Sequence, residues 1–293
     1  MSESSSICLV MPYFGQWPFW MPFFLQSCRF NPSVDWLLYT DCQPLDHCPE
    51  NVRVVQISLN DYCRKVSTKL SIDFSPTKAY KLCDIRPALG LIHEDELRAY
   101  HFWGFGDIDV VYGDLRAYFT DERLQGYDLY STHARRVSGH LCLIRNTLRM
   151  REVFKRIPDW QRRFCDQEHH ALDEGAFTRI FLRNKNLPAF LQRLIGTVFN
   201  PWYRCSEFVE AYSTPYARID WVDGHRNFPR RWFWTDGKLT NDVNGAREFP
   251  YFHFIVWKRH QWEKLQAYQL QSTSGFAGSS SWSISEQGFE RDQ

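Results

Sequence analysis

Two aspartates one residue apart, Asp107 and Asp109, open an aliphatic run in the stretch WGFGDIDVVYGDL at residues 103–115. A β-strand sends alternate side chains to opposite faces, so in a strand both carboxylates would project to one side while Ile108 points to the other. Two like charges held that way repel, and the repulsion is relieved by a wet strand end or by a cation lying between them. Hard divalent ions suit the second solution, since Mg²⁺ binds through one or two carboxylates, water and the phosphates of a substrate. The chemistry this spacing admits is the handling of a phosphorylated donor. The plain alternative is a solvated strand end.

The elements that must hold the pair are legible in the hydrophobic pattern. Residues 7–10 form a short apolar run ending at Pro12, followed by the aromatic stretch YFGQWPFWMPFF and a helix to Cys28; a second run at 36–41 ends in Asp41, and a third at 52–58 alternates apolar and polar residues. Strand-like runs separated by helix-sized spacers predict an α/β chain with a mostly parallel central sheet. Ligands of such sheets gather at the carboxyl ends of the strands, where Tyr13, Phe14, Gly15, Asp41 and the Asp107/Asp109 pair all fall. Further along, 78–100 is expected to be largely helical with an interruption at Pro87, 127–133 and 140–146 are expected strands, and helices are expected over 147–157 and about 166–183. Asp-Gly within WFWTDGKLT at 232–240 signals a hairpin. The Ser/Gly-rich end from 271 onward is expected to be a flexible tail, which leaves residues 1–270 as one domain.

Composition narrows the function. Lys+Arg 35 against Asp+Glu 34 gives a near-neutral chain, which argues against a dedicated nucleic-acid binder. Aromatic residues make up 17%, with 12 Trp, so stacking surface is plentiful. Nine cysteines without a C-x-x-C pair signal neither a zinc knuckle nor a disulfide framework, and fit a reducing cytoplasm. The start MSESSS lacks the basic and apolar regions of a signal peptide, and no apolar run approaches the roughly 18 residues needed to span a bilayer. The expected location is the cytoplasm, with peripheral contact at the inner face of the membrane also compatible.

KLCDIRPALG, followed about a dozen residues later by FWGFGDIDVVYGDL, resembles the nucleotide-sugar glycosyltransferases of the GT-A fold, whose D-x-D motif holds a divalent ion against the donor diphosphate. MPYFGQWPFWMPFFLQSC with NPSVDWLLYTD resembles, more narrowly, an uncharacterised bacterial glycosyltransferase-like family associated with surface polysaccharide synthesis, and the resemblance spans most of 7–258. It implies a Rossmann-like, mostly parallel sheet flanked by helices with a C-terminal hairpin region, Mn²⁺ or Mg²⁺ as cofactor, a nucleotide-sugar donor, and a saccharide or lipid-linked saccharide acceptor. Residue by residue, it places Asp109 as a direct metal ligand and Asp107 as a partner of the ribose or of the metal site. Asp84 and Arg86 resemble an acid-base element that grips donor hydroxyls; its spacing here departs by one residue and leaves open which of Arg86 and Lys81 serves. Gly139 and His140 would lie beneath the donor sugar. EFPYFHFIVWK at 248–258 resembles the element in which a late histidine, His253, completes the metal site and a lysine, Lys258, meets phosphate.

The densest polar cluster is CDQEHHALDEGAFTRIF at 165–181. On a helix His169 and Asp173 lie four apart, as do His170 and Glu174. The resemblance places Asp173 and Glu174 near the acceptor, where one carboxylate could serve as general base. Two other readings stand beside transfer: a metal-dependent hydrolase built on Glu168, His169, His170 and Asp173, though the spacing is not H-E-x-x-H, and a non-catalytic carbohydrate-binding protein.

Overall fold

Strands buried on both faces of a parallel sheet must be apolar nearly throughout, and ICLVMP and VDWLLYT meet that demand. They form β1 (Ile7–Pro12) and β2 (Val34–Thr40), paired in parallel with Ile7 opposite Val34. The computed structural model describes residues 4–183, 187–216, 219–260, 262 and 280–291. Its central sheet continues with β3 (Val52–Gln56) and β4 (Phe102–Gly106), after which the chain makes a short excursion through β5 (Val110–Tyr112). It returns as β6 (Leu129–Ser131), β7 (Leu141–Arg145) and β8 (Ser206–Phe208). The seven strands lie in the order β3-β2-β1-β4-β7-β6-β8. Pairing is parallel from β3 to β4 and again between β6 and β8, with β7 antiparallel to both of its neighbours. This is an α/β architecture with a mostly parallel, helix-flanked sheet, as expected.

Helix Leu59–Leu70 covers one face of that sheet for clear local reasons. Ser58 caps it by accepting the Asp61 amide, Ser71 ends it in the left-handed region at φ 54°, and Tyr62, Cys63, Val66 and Leu70 share its buried stripe. The chain then runs through the 3₁₀ segment Ala79–Ala88, which contains Pro87 and delivers Lys81, Asp84 and Arg86.

A second, aromatic sheet comprises β9 (Arg231–Thr235), β10 (Lys238–Asn241), β12 (Ser281–Ser285) and β13 (Gly288–Arg291), in the order β10-β9-β12-β13. The Asp-Gly hairpin is formed as expected: Asp236 and Gly237 both have positive φ, 46° and 83°, the backbone of a type I′ turn. β11 (Tyr251–His253) pairs with β5, His253 opposite Val110.

Three local expectations need correction. The D-x-D does not lie within a strand: β4 ends at Gly106, and residues 107–109 bend before β5 begins. No helix fills 166–183. A loop occupies 166–172, followed by one π-turn at Asp173–Phe177 and a short helix Thr178–Phe181. The reason is that Asp84 accepts the amides of His170 and Leu172, at 2.9 Å each, while Ala171 takes φ 46°, a geometry closed to a right-handed helix. The flexible tail is also corrected for residues 281–291, which form the β12–β13 hairpin; 271–279 lie outside the described residues. Trp282 and Ile284 alternate into the core, and Trp282 stacks on Trp234 at 4.8 Å and 6°. Their period of two was hidden by the surrounding Ser and Gly, while its apolar face alone can offset the entropy of ordering the chain.

Candidate active site

At the carboxyl ends of β1 and β4 lies a cavity of about 280 Å³. Pro12, Tyr13 and Phe14 line it from the end of β1, Tyr80, Cys83 and Arg86 from the 3₁₀ segment, Asp107, Ile108 and Asp109 from the bend after β4, and Lys258 from the helix Ile255–His260. Tyr13 is held by stacking on Trp17 at 5.4 Å and by donating its hydroxyl to the Gln16 carbonyl at 3.0 Å. Phe14 packs on Tyr62. Gly15, at φ 114°, turns the chain away, and its amide donates to Asp41 Oδ1 at 2.7 Å. Asp41 therefore braces the loop that presents Tyr13 and Phe14, and it does not line the cavity.

The bend places Asp107 and Asp109 beside His253, one ligand atom of each lying within 4.8 Å of the others. His253 Nε2 is 3.8 Å from Asp107 Oδ2 and 3.5 Å from Asp109 Oδ1, while Nδ1 lies 3.2 Å from Thr214 Oγ1. Nε2 is buried and among the described residues has no hydrogen-bond partner, a costly condition for a polar atom unless something else satisfies it. Nδ1 and Thr214 Oγ1 can share a proton in either direction, and with that proton on Nδ1 the Nε2 lone pair is the one free to ligate a cation. Two carboxylates and one imidazole nitrogen form a donor set suited to a divalent cation, so the residues present fit Mn²⁺ or Mg²⁺.

Cations surround this set. Lys258 Nζ pairs with Asp109, and Arg86 pairs with Asp107 through Nη2 and with Asp173 through Nη1 at 3.1 Å. Burial pushes the Asp109 carboxyl upward, but facing His253 and Lys258 outweighs it and holds the group well below the usual carboxylate range. His140 lies behind His253, stacked at 4.5 Å, with its own Nδ1 3.0 Å from Ser138 Oγ and 2.7 Å from the Tyr251 hydroxyl. It packs against the His253 imidazole from within the core and does not line the cavity.

Gly139 joins the donor side to the second carboxylate pair. A methyl group there would lie 3.0 Å from both Arg86 Nη1 and Asp173 Oδ2 and 3.3 Å from Glu174 Oε1, so the missing side chain is what lets these groups converge. Asp173 is buried and held by Arg86; burial raises its pKa against that pull. Glu174 is partly accessible, 3.3 Å from Arg136, and its pKa is also raised by burial.

Lys81 and Asp84 need a larger correction. Both are fully buried and neither lines the cavity. Lys81 Nζ donates to Asp84 at 2.9 Å and to the Arg163 and Glu168 carbonyls, and Asp84 in turn holds the His170 and Leu172 amides. They tie down the loop before Asp173 instead of gripping a donor. The hydrolase cluster does not assemble either: His169 turns to Asp84 and Tyr80, His170 to Asp166, and Glu168 contributes its backbone carbonyl to Lys81. Among the described residues, the metal-compatible group is the Asp107, Asp109 and His253 set.

Sequence reasoning missed Thr214, Arg136, Tyr80 and Cys83. Thr214 and Arg136 lie in STPYAR and ARRVSGH, where no local signal marks them. Cys83 lines the cavity, yet burial lifts its thiol to about 12, which disfavours the nucleophilic thiolate.

An acidic, cation-flanked cavity thus lies at the carboxyl edge of a mostly parallel sheet. The chain belongs to the family of unknown function DUF6625, whose profile matches residues 9–289 and so runs through the β12–β13 hairpin. No curated protein matches it. Among solved structures it is similar to the galactosyltransferase LgtC in complex with donor and acceptor sugar analogs, at 12% identity and a TM-score of 0.36, over 72% of this chain and 90% of that one. It is also similar to mouse xyloside xylosyltransferase 1 in its apo form, at 10% identity and a TM-score of 0.39, over 72% of this chain and 86% of that one.

Proposed function

We propose that the chain is a metal-dependent glycosyltransferase that moves a sugar, a hexose, from a UDP-linked donor to a saccharide or lipid-linked saccharide acceptor in cytoplasmic synthesis of a surface polysaccharide. The observation that carries the reading is the unpartnered Nε2 of His253 facing Asp107 and Asp109 beside an aromatic-walled cavity. A bound Mn²⁺ or Mg²⁺ would offset charge on the leaving diphosphate. Arg86 and Lys258 add fixed positive charge on the same side, where their carboxylate partners keep them aimed before substrate arrives. Tyr13 and Phe14 offer an apolar wall for the base.

The two later carboxylates take different roles in this reading. Asp173 is committed to Arg86 and serves best as the residue that orients it. Glu174 is more accessible, and its raised pKa suits a group that takes a proton from an acceptor hydroxyl.

UDP release from a panel of UDP-sugars, with Mn²⁺ and a mixed saccharide acceptor pool, tests the reading. Release that needs both metal and acceptor is the expected result. Metal-dependent binding without release supports a carbohydrate-binding protein, and release unaffected by EDTA removes the metal-dependent mechanism.

A further inference from the structure

Helix Ala189–Phe199 turns its apolar residues outward. Phe190, Leu194 and Val198, spaced four apart along one stripe, are 69%, 59% and 57% exposed, and Phe199 at the helix end is 75% exposed. The opposite side is already occupied: a side chain at Gly196 would run into the Tyr203 ring at 2.7 Å, so the helix docks on the short helix Pro201–Arg204 and its outer stripe is left to another medium. Contiguous exposed apolar surface of this kind marks an interaction face.

Charge identifies what meets it. From 175 to 206 the sequence contains Arg179, Arg183, Lys185, Arg193 and Arg204, and no acidic residue. Arg179, Arg183 and Arg204 are exposed, and among the described residues none of the three forms an ion pair. Arg149 and Arg156 add their guanidinium groups over Trp202, at 4.3 and 5.1 Å, at the same end. An apolar stripe bordered by unpaired cations is the pattern of a helix lying in the interface of an anionic bilayer. The same charge opposes a symmetric contact with a second copy, which would bring basic borders together.

We infer that the helix Ala189–Phe199 and its arginine border form a membrane-docking surface that seats the protein on anionic lipid. The inserted residues are Phe190, Leu194 and Val198, while the arginines stay at the headgroups. No helix among the described residues is long and apolar enough to cross a membrane, so attachment through this face is reversible and salt-sensitive.

Flotation of the full chain with vesicles tests the inference without reference to turnover, so its outcome is independent of the proposed activity. Vesicles of equal parts phosphatidylglycerol and phosphatidylcholine are expected to bind the protein at least about tenfold better than phosphatidylcholine alone, and added salt should release it. The triple variant Phe190→Ser, Leu194→Ser, Val198→Ser and, separately, the pair Arg183→Glu, Arg204→Glu should each lose at least about tenfold in binding with an unchanged melting temperature. These side chains are exposed, so folding is preserved; if the triple variant fails to fold, the arginine pair is decisive by itself. Equal binding to neutral and anionic vesicles, no binding to either, or arginine-pair binding like wild type overturns the inference. A concentration-dependent dimer that the serine variant abolishes, without vesicle binding, assigns the face to a second copy instead.

Discussion

Asp84 and Asp109 each lie buried against a lysine ammonium, Lys81 in one case and Lys258 in the other. Around Asp84 every polar group is answered: the lysine also meets two carbonyls, and the carboxylate also meets two amides and faces the His169 ring. Around Asp109 the arrangement is incomplete. A second carboxylate and an imidazole nitrogen with no partner face it, and the cavity opens on the same side. A saturated charge network fixes the chain, whereas one that leaves a ligating atom unanswered beside a cavity can take a ligand. The two regions differ less in residue type than in what remains unsatisfied.

The strongest test of that contrast is Asp109→Asn. It should reduce transfer by about 10³-fold or more and remove Mn²⁺-dependent UDP binding, while the melting temperature stays close to that of the parent, because the amide keeps the shape and Lys258 can reach water. Parental turnover in this variant would place the chemistry elsewhere. Lys81→Met should behave in the opposite way. It leaves the Asp84 charge buried without its cation and should cost about 3–5 kcal/mol of stability in urea titration, while the folded fraction keeps its donor affinity. If donor affinity collapses but stability holds, Lys81 belongs to the donor site after all.

Glu174→Gln is expected to lower turnover by about 10²-fold with donor affinity retained, and Asp173→Asn to weaken donor binding together with turnover, since it releases Arg86. Calorimetry beside turnover separates the two roles. Normal turnover in both variants would reduce this pair to a structural edge of the cavity.

His93 supplies the control with the smallest effect. Among the described residues its Nδ1 is also buried without a hydrogen-bond partner, 3.9 Å from Glu96, but it does not line the cavity. Burial lowers its pKa from 6.5 to about 4. Because the folded value lies below the unfolded one, the unfolded chain takes up the proton first on acidification. The stabilisation from keeping this ring neutral is therefore complete above pH 6.5 and is lost as pH falls toward 4, by at most about 3–4 kcal/mol. His133, which burial lowers to about 3, adds to the same loss. Thermal melts of the parent and of His93→Gln across that window should show a shallower acid decline in the variant. An equally steep decline would mean that the ring is not held neutral in the folded protein. Added Mn²⁺ should leave the His93 effect unchanged, since the site capable of holding the ion is elsewhere.

What the sequence determined by itself was set by short-range rules. Apolar runs placed β1 and β2, Asp-Gly placed the β9–β10 turn, and the D-x-D together with the late histidine and lysine marked Asp107, Asp109, His253 and Lys258, which the fold gathers in one place. Which charged residue faces the cavity and which is sealed beneath it was decided only in three dimensions. Lys81, Asp84 and Arg86 sit within six residues on one 3₁₀ segment, yet Arg86 alone of the three reaches the cavity, because its neighbours find partners in the helix end and loop at 163–172. The β12–β13 hairpin was likewise hidden by Ser and Gly until Trp234 offered a ring for Trp282 to stack on. Residue type and spacing determine which groups can ionise, ligate or bury. Long-range packing determines which of them are left with an unsatisfied atom, because that depends on partners far away in the chain, as in the pairing of Lys258 with Asp109, 149 residues apart.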